Sequence, residues 1–403
     1  MLALRVSLLL GLLAVFAHAD GTRGVTLVEV VAAVPSSPAA PIAGHEVEAA
    51  DANVDAAGAW PAPSIHVETN RLTARLVTGV VIPLPILGTV GALRDEAAAR
   101  ARVAHRDAIV LHRDLERRAV LAWVALARAD ADIEVRATAA TQAAELEKVV
   151  RGRFDAGTGA LVDVTTAAAA RARADVVVSS TKRAQQAAAA DLAGVLGWDP
   201  TRSLASSGPL PGASAVELDA LRARLGDHPE RAAALARVAA ADATVERVRS
   251  GRLPSLSIEA QVSFHDPTTP GTDVLGGLVI ELPIFAHVGD QIRASTATTA
   301  AERARLAAAE SELAGALVAA YRRWQAAGET VAALEHDVVP AQEHAAELAR
   351  QAYREGSRDL ATALTAERDL AAVRADLVAA RGDLATAWIE LQIAAGEEPG
   401  HAL

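Results

Sequence analysis

Two stretches of this chain, 198 positions apart, carry the same pattern, and that duplication constrains the fold more than any single motif. Val80-Val81-Ile82-Pro83-Leu84-Pro85-Ile86-Leu87 aligns with Leu278-Val279-Ile280-Glu281-Leu282-Pro283-Ile284-Phe285, and Val90-Gly91 aligns with Val288-Gly289. The match runs on. Leu115, Ala119, Ala122, Leu126, Ala129 and Ile133 recur as Leu313, Leu317, Ala320, Trp324, Ala327 and Val331, one heptad seam in one register. Phe154-Asp155-Ala156-Gly157 then matches Tyr353-Arg354-Glu355-Gly356, and Gly197 matches Gly396, at an offset of 199. One unit has been written twice with a single insertion.

Each unit is legible from its breakers. Proline and glycine gather at 58–63, 83–91, 197–212, 251–254, 267–277 and 283–289, leaving intervals that hold long helices. Helices are expected from about 89 to 152 and about 288 to 352, each ~96 Å long at 1.5 Å per residue. Gly157 and Gly356 suit the left-handed position that ends a helix. Return helices follow over about 161 to 196 and 359 to 395, making extended helical hairpins. The second return carries its own seam, Val373, Leu377, Ala380, Leu384, Ala387 and Leu391. Shorter helices are expected over about 42 to 57, behind Pro35, Pro38 and Pro41, and over about 227 to 250. Stacking the latter end to end with the helix at 161–196 would match the long rod. The composition fits, with 51% apolar residues but 3% aromatic, because alanine lets helices approach closely without a bulky core.

Before each long helix the period changes to two. Leu253 to Phe264 alternates and Val274 to Phe285 returns; Ser64 to Thr69 alternates and Arg75 to Leu87 returns. Strands of ~9 to 12 residues suit a tilted membrane crossing, yet four strands cannot close a barrel, and open edges are not tolerated in lipid. A membrane role therefore requires several chains to pool their strands; a soluble hairpin is the alternative. Trp60, Phe264 and Phe285 are the candidates for an aromatic belt.

The N-terminus reads as a secretory signal peptide over 1–19: Arg5, an apolar run from Val6 to Phe16, and Ala17-His18-Ala19 before Asp20. Zero cysteines exclude disulfides, a catalytic thiol and a lipidated N-terminal cysteine, so the chain is not expected to be a lipoprotein. A net charge of −11 argues against a nucleic-acid partner. His105 and His112 are seven apart and His336 and His344 eight apart, which is not the spacing that grips one ion. No phosphate loop, nucleophile elbow or triad is present. No metal, cofactor or enzymatic activity is expected.

Taken in order, His228-Pro229-Glu230 opening a helix to Gly251, Gly251-Arg252-Leu253-Pro254 entering a strand, Leu282-Pro283-Ile284-Phe285 closing the pair, the tip motifs Arg153 to Gly157 and Tyr353 to Gly356, and Val339-Pro340-Ala341-Gln342-Glu343 resemble the outer membrane efflux family typified by TolC, with the CzcC-like cation-efflux subfamily nearest. The resemblance covers nearly the whole mature chain. It implies a mainly α protein with a small β part: duplicated coiled-coil αα-hairpins forming a trimeric α-barrel, and four strands per protomer in a twelve-stranded transmembrane β-barrel. The organisation would be a signal peptide (1–19), an N-terminal equatorial segment and first helix (20–60), strand pair one (61–88), hairpin one (89–196), an equatorial linker (197–226), a helix leading to the barrel (227–252), strand pair two (253–286), hairpin two (287–395) and a tail (396–403).

The implied function is a passive exit duct in a Gram-negative outer membrane, reaching into the periplasm. It would work as a homotrimer with a periplasmic adaptor and an inner-membrane RND-type pump, and would export heavy-metal cations. A drug or type I secretion duct of the same family is the alternative, and a periplasmic coiled-coil protein without a barrel the alternative of another class.

Candidate site residues lie at the tips. Gly157 and Gly356 meet the backbone demand of the turn. Arg153, Phe154, Tyr353 and Arg358 join aromatic area to guanidinium geometry, which serves either an adaptor contact or capping within the chain. Family members carry acidic residues just past the second tip at the pore constriction; the matching positions here hold Thr362 and Thr365, with Asp359 the nearest acid and Asp163 its first-repeat counterpart. A carboxylate ring there would favour cations; a solvated helix-face aspartate is the other reading.

Overall fold

A computed structural model of the chain describes residues 23–70, 75–212, 215–264, 271–283 and 287–399. The first half runs β1 (Arg23–Thr26), α1 (Leu27–Ala33), a 3-10 turn (Val34–Ser36), α2 (Ala40–Gly58), β2 (Ser64–Asn70), β3 (Arg75–Leu84), α3 (Thr89–Asp155) and α4 (Leu161–Leu196). The second runs β4 (Leu204–Ser207), α5 (Leu218–Arg224), a 3-10 turn (Leu225–Asp227), α6 (Pro229–Ser250), β5 (Ser255–Phe264) and β6 (Thr272–Glu281). It ends with α7 (Val288–Ala333), a π-helical turn (Leu334–Val338), α8 (Val339–Arg354) and α9 (Leu360–Ala394). The signal peptide expected over 1–19, Ile284, Phe285 and residues 400–403 lie outside the described residues.

The heptad seams are the packed stripes. Leu115, Ala119, Leu126, Leu313, Leu317, Ala320 and Val331 are all buried. The 67 residues of α3 make one unbroken rod of ~100 Å. Its second-repeat counterpart is not one helix, because Pro340 lacks an N–H and its ring clashes with the carbonyl four residues back. The chain absorbs this in the π-helical turn Leu334–Val338 and resumes as α8.

Around the long rod, α3 is flanked by α2 and α6 on its strand-proximal half and by α4 and α9 on its tip-proximal half, while α7 meets α6 above and α9 below. The stacking expected from the sequence is corrected here: α6 sits on α9, and α2 on α4. The repeated glycines explain the pairing. Gly197, φ +72, ends α4 so close to the start of α2 that a β-carbon would lie 2.5 Å from Pro38 Cδ. Gly396, φ +80, ends α9 against His228, where a β-carbon would lie 3.0 Å from Cδ2. His228 is buried there; its Nδ1 accepts from the Glu230 N–H, so Nε2 donates to the Ile393 carbonyl at 3.2 Å.

Both junctions lie in an equatorial core. β1 pairs in parallel with β4, and Trp123, fully buried, donates its indole N–H to the Val25 carbonyl at 2.8 Å. Asp130 accepts from the Ser206 N–H at 2.6 Å and from Gln185 Nε2 at 2.8 Å, fastening β4 to α3 and α4. A third cluster of Leu221, Leu317, Trp388 and Leu391 closes the far side. The N-terminal stretch Leu27–Gly58 is apolar and long enough to cross a membrane by composition alone. It is broken at Val34–Ser36 and packs along α3 instead, with Asp51 paired to His105 at 3.2 Å.

At the opposite end from the tips, four strands form one antiparallel sheet in the order β2-β3-β5-β6, leaving β2 and β6 as open edges. The helical layer is open in the same sense: α2 and α4 pack chiefly on α3, with α4 barely touching α9, and α7 packs on α6 and α9 among the long helices.

Candidate functional site

The two hairpin tips are built by the same turn. The Gly157 N–H bonds the Phe154 carbonyl and the Thr158 N–H the Arg153 carbonyl, both at 2.9 Å; Gly356 and Ser357 repeat this on Tyr353 and Ala352 at 3.0 and 2.9 Å. This is a Schellman cap, and it needs φ +75 at Gly157 and φ +76 at Gly356. The tips differ one residue further on. Gly159 backs onto Phe154 so closely that a β-carbon would sit 2.9 Å from the Phe154 nitrogen, whereas its counterpart is the exposed Arg358.

Arg153 joins the tips. Its Nη1 donates to the Tyr353 carbonyl at 2.6 Å, and its guanidinium lies 4.9 Å from the centroid of the Tyr353 ring. Tyr353 is only 3% exposed, packed with Leu146, Val150, Ala167, Leu360 and Ala363. The four tip side chains therefore divide: Tyr353 is buried by its own chain and held by Arg153, as capping within the chain requires, whereas Phe154 and Arg358 stay exposed. Burial pushes the Tyr353 hydroxyl up, with the Arg153 guanidinium opposing and Asp163 adding to the rise. Asp163 thus stands beside the second tip although it belongs to α4.

Asp359 caps α9, accepting from the Thr362 N–H at 3.0 Å and from the Thr362 hydroxyl. Those bonds, the hydroxyl's first, hold its carboxyl below the ordinary range. The residue does the work of an N-cap, and Thr362 is its partner. Thr362 and Thr365 share a face of α9 with Asp369 and line a shallow cavity of about 470 Å³. Asp369, an acid one turn further along that face, was not singled out by the sequence reading; the i, i+4 step from Thr365 is the signal that points to it.

Above the tips, three ion pairs stitch the last hairpin: Arg350 to Glu367 at 2.8 Å, Arg374 to Glu343 at 2.7 Å and Arg381 to Glu335 at 2.7 Å. Burial raises the Glu367 carboxyl; Arg350 and Arg374 oppose the rise, and Glu347 and Glu145 add to it. Its neighbourhood opens on a cavity of about 500 Å³ between α4 and α9, lined by Leu146, Thr166, Ala170, Val177, Leu364 and Ala371 among others.

The sheet separates its chemistry by face. Read across the register, Ile65 and Val67 of β2 stand with Val80, Ile82 and Leu84 of β3, Leu256, Ile258, Ala260 and Val262 of β5, and Val274, Leu278 and Ile280 of β6. No charged residue falls on that face among the described residues. Ile65 and Val274 are each 74% exposed, and Leu278 and Ile280 over half exposed. The other face carries His66, Glu68, Glu259, Gln261, Asp273 and Glu281. There the His66 ring crosses over Gly79, where a β-carbon would lie 2.4 Å from it, to stand 3.5 Å from the Glu259 carboxylate. Ser263 and Val77, opposite each other in register, are buried on this side.

Among the described residues, no group of three or more His, Asp or Glu side chains gathers in a way that could hold a metal ion. His112 is paired with Glu116 at 3.2 Å, as His105 is with Asp51.

Residues 221–397 match the family model for the outer membrane efflux protein. No curated protein sequence matches the chain. Solved structures share its fold over nearly its whole length. The outer-membrane channel OprN is 20% identical with a TM-score of 0.75, over 93% of this chain and 90% of its own. The outer membrane protein VceC of Vibrio cholerae is 18% identical with a TM-score of 0.77, over 92% and 96%. CusC, whose structures concern the conformational changes that accompany folding and transmembrane channel formation, is 16% identical with a TM-score of 0.76, over 95% and 96%.

Proposed function

We propose that this chain, with a second repeat that matches the outer membrane efflux family and a fold shared with solved outer-membrane channels, is the passive exit duct of a tripartite efflux system. The observation that carries the reading is the two-faced sheet with two open edges. A charge-free face of largely exposed Ile, Val and Leu is costly in water, at about 25 cal/mol per Å² of apolar surface, and is what a lipid-facing barrel wall requires. Ten-residue strands span ~33 Å along their length, or ~23 Å when tilted by ~45°, close to the apolar band of an outer-membrane barrel. The edges of β2 and β6 lie on opposite flanks, so β6 of one copy meets β2 of the next and rotation closes the ring. Three copies, the number the family resemblance implies, give twelve strands, and the open flanks of α2/α4 and α7/α8 close the helical barrel in the same sense.

The face that carries the charges then lines the lumen. Its Glu68, Glu259, Asp273 and Glu281 against His66 favour a cationic cargo, and with the resemblance to the cation-efflux subfamily we propose heavy-metal cations as the substrate. The exposed Phe154 and Arg358 at the tips are offered to a periplasmic adaptor, with Asp163, Asp359, Thr362 and Thr365 around the periplasmic mouth. Energy comes from an inner-membrane pump, since the sequence carries no phosphate loop.

Extraction from outer membranes as a trimer that conducts in planar bilayers supports this function; a soluble monomer released by osmotic shock contradicts it. A deletion strain sensitised to divalent metals but not to hydrophobic antibiotics supports the cation assignment, and the reverse pattern moves the duct to drug efflux.

A further inference from the structure

On the charged face of the sheet, one pair of side chains meets across an intervening strand. His66 of β2 and Glu259 of β5 are separated by β3 in the strand order, yet the imidazole reaches over β3 to bring Nε2 within 3.5 Å of a Glu259 carboxylate oxygen. Glycine makes that reach possible. The ring lies over Gly79, where a β-carbon would be 2.4 Å from Cε1, and Gly277, opposite Glu259 on β6, leaves open space on the other side. The two side chains thus converge on a cleared stretch of wall, and each keeps about a third of its surface exposed. His66 stands two positions and Glu259 four positions from the helix-side ends of their strands, ~7 and ~14 Å into the wall.

At 3.5 Å the pair is too long for a sound hydrogen bond. It is, however, the span of two ligands on one ion: an ion ~2.1 Å from both atoms subtends ~113° between them, near the tetrahedral angle, with imidazole nitrogen and carboxylate oxygen at their usual bond lengths. We propose that His66 and Glu259 form a transit site in the lumen wall for a divalent ion that takes imidazole and carboxylate ligands, of the zinc, cobalt or nickel class. The inference rests on the duct reading and deepens it by giving the cationic cargo a ligand set. Two protein ligands leave the remaining positions to water, so the ion is held weakly, and a duct needs a contact firm enough to admit an ion and loose enough to release it. The same donor pair selects against magnesium and calcium, which take oxygen ligands. The other histidine–carboxylate pairs among the described residues lie outside the sheet. His105–Asp51 and His112–Glu116 are at hydrogen-bond distance, 3.2 Å; His287–Asp290 is 3.8 Å apart; and His45–Glu48, though at 3.5 Å, is about four-fifths exposed on both sides.

Block of the ionic current tests the site. The full-length protein is inserted into planar bilayers in potassium chloride at about pH 7.5, where imidazole is ordinarily neutral, and zinc chloride is titrated against the unitary current. The expected result is a reversible reduction of the current by zinc, with the half-blocking concentration raised about tenfold or more both in His66→Ala and in Glu259→Gln, while magnesium acts equally on all three proteins. Glu259→Gln keeps the shape and His66→Ala keeps the charge, so a shift common to both reports neither packing nor lumen charge alone. If His66→Ala forms no channel, His66→Gln replaces it under the same criterion. A conducting channel that zinc does not block, that zinc blocks equally in parent and variants, or that shifts in only one variant overturns the inference and leaves the duct reading standing. A parent protein that forms no channel overturns the duct reading and this inference with it.

Discussion

Arg153 of the first hairpin holds Tyr353 of the second, with the guanidinium 2.6 Å from the backbone carbonyl and 4.9 Å from the ring centroid. It is the polar tie between the two tips, since α4 and α9 scarcely touch along their length and a cavity of about 500 Å³ separates them. Arg153→Ala removes a half-buried charged hydrogen bond worth about 1.5–3 kcal/mol. The expected outcome is faster hydrogen exchange over residues 352–358 and a larger single-channel conductance. Tyr353→Phe keeps both the carbonyl and the ring and should leave each readout unchanged.

Gly157 and Gly197 separate backbone strain from steric approach. Both have positive φ, but a β-carbon at Gly157 meets open space, whereas at Gly197 it meets Pro38 at 2.5 Å. Gly157→Ala should cost about 1–2 kcal/mol for the left-handed conformation alone. Gly197→Ala should exceed that clearly, because α2 must shift off α4. Thermal melts of the two variants decide; equal losses contradict the junction.

Glu367 gives the account a pH dependence of definite sign. Burial raises its carboxyl above the ordinary value, so the folded state binds that proton more tightly than the unfolded one. The ionised form is therefore penalised above the folded value, and the penalty fades as pH falls through it toward the ordinary carboxylate range. Glu367→Gln should raise the melting temperature at neutral pH and flatten the gain on mild acidification. A variant less stable than the parent at neutral pH would show that the pairing with Arg350 outweighs burial.

Trp123→Phe tests the equatorial core. The buried Val25 carbonyl loses the donor at 2.8 Å, a loss of about 1–3 kcal/mol, and the smaller ring leaves a cavity that adds to it. The N-terminal strand β1 should become the first protected segment to exchange.

The duplication made the helices legible because their breakers are local: the return helix expected from about 161 to 196 runs Leu161–Leu196. Pairings between distant segments were not legible in the same way. Gly197 and Gly396 stand out as a repeat, yet nothing local tells that Pro38 and His228 press against them, and so the expected stacking of the 161–196 helix on the 227–250 helix gives way to α2 on α4 and α6 on α9. The π-helical turn before Pro340 follows from one proline, but whether a chain kinks, stops or re-registers depends on the packing around it. At the tips, the aromatic and guanidinium pattern singles out Arg153 and Tyr353, but that the two satisfy each other depends on the distance between two hairpins. The charge-free sheet face was hidden because alternation within one strand does not show which face neighbouring strands share, and only the register does.

The central claim is that three chains pool their strands into one membrane channel. Native mass spectrometry of the protein extracted from outer membranes in detergent tests it most directly. The account predicts a single species of three mature chains that splits to monomer on heating; a monomer, a dimer, or a protein found only in the soluble periplasmic fraction would contradict it.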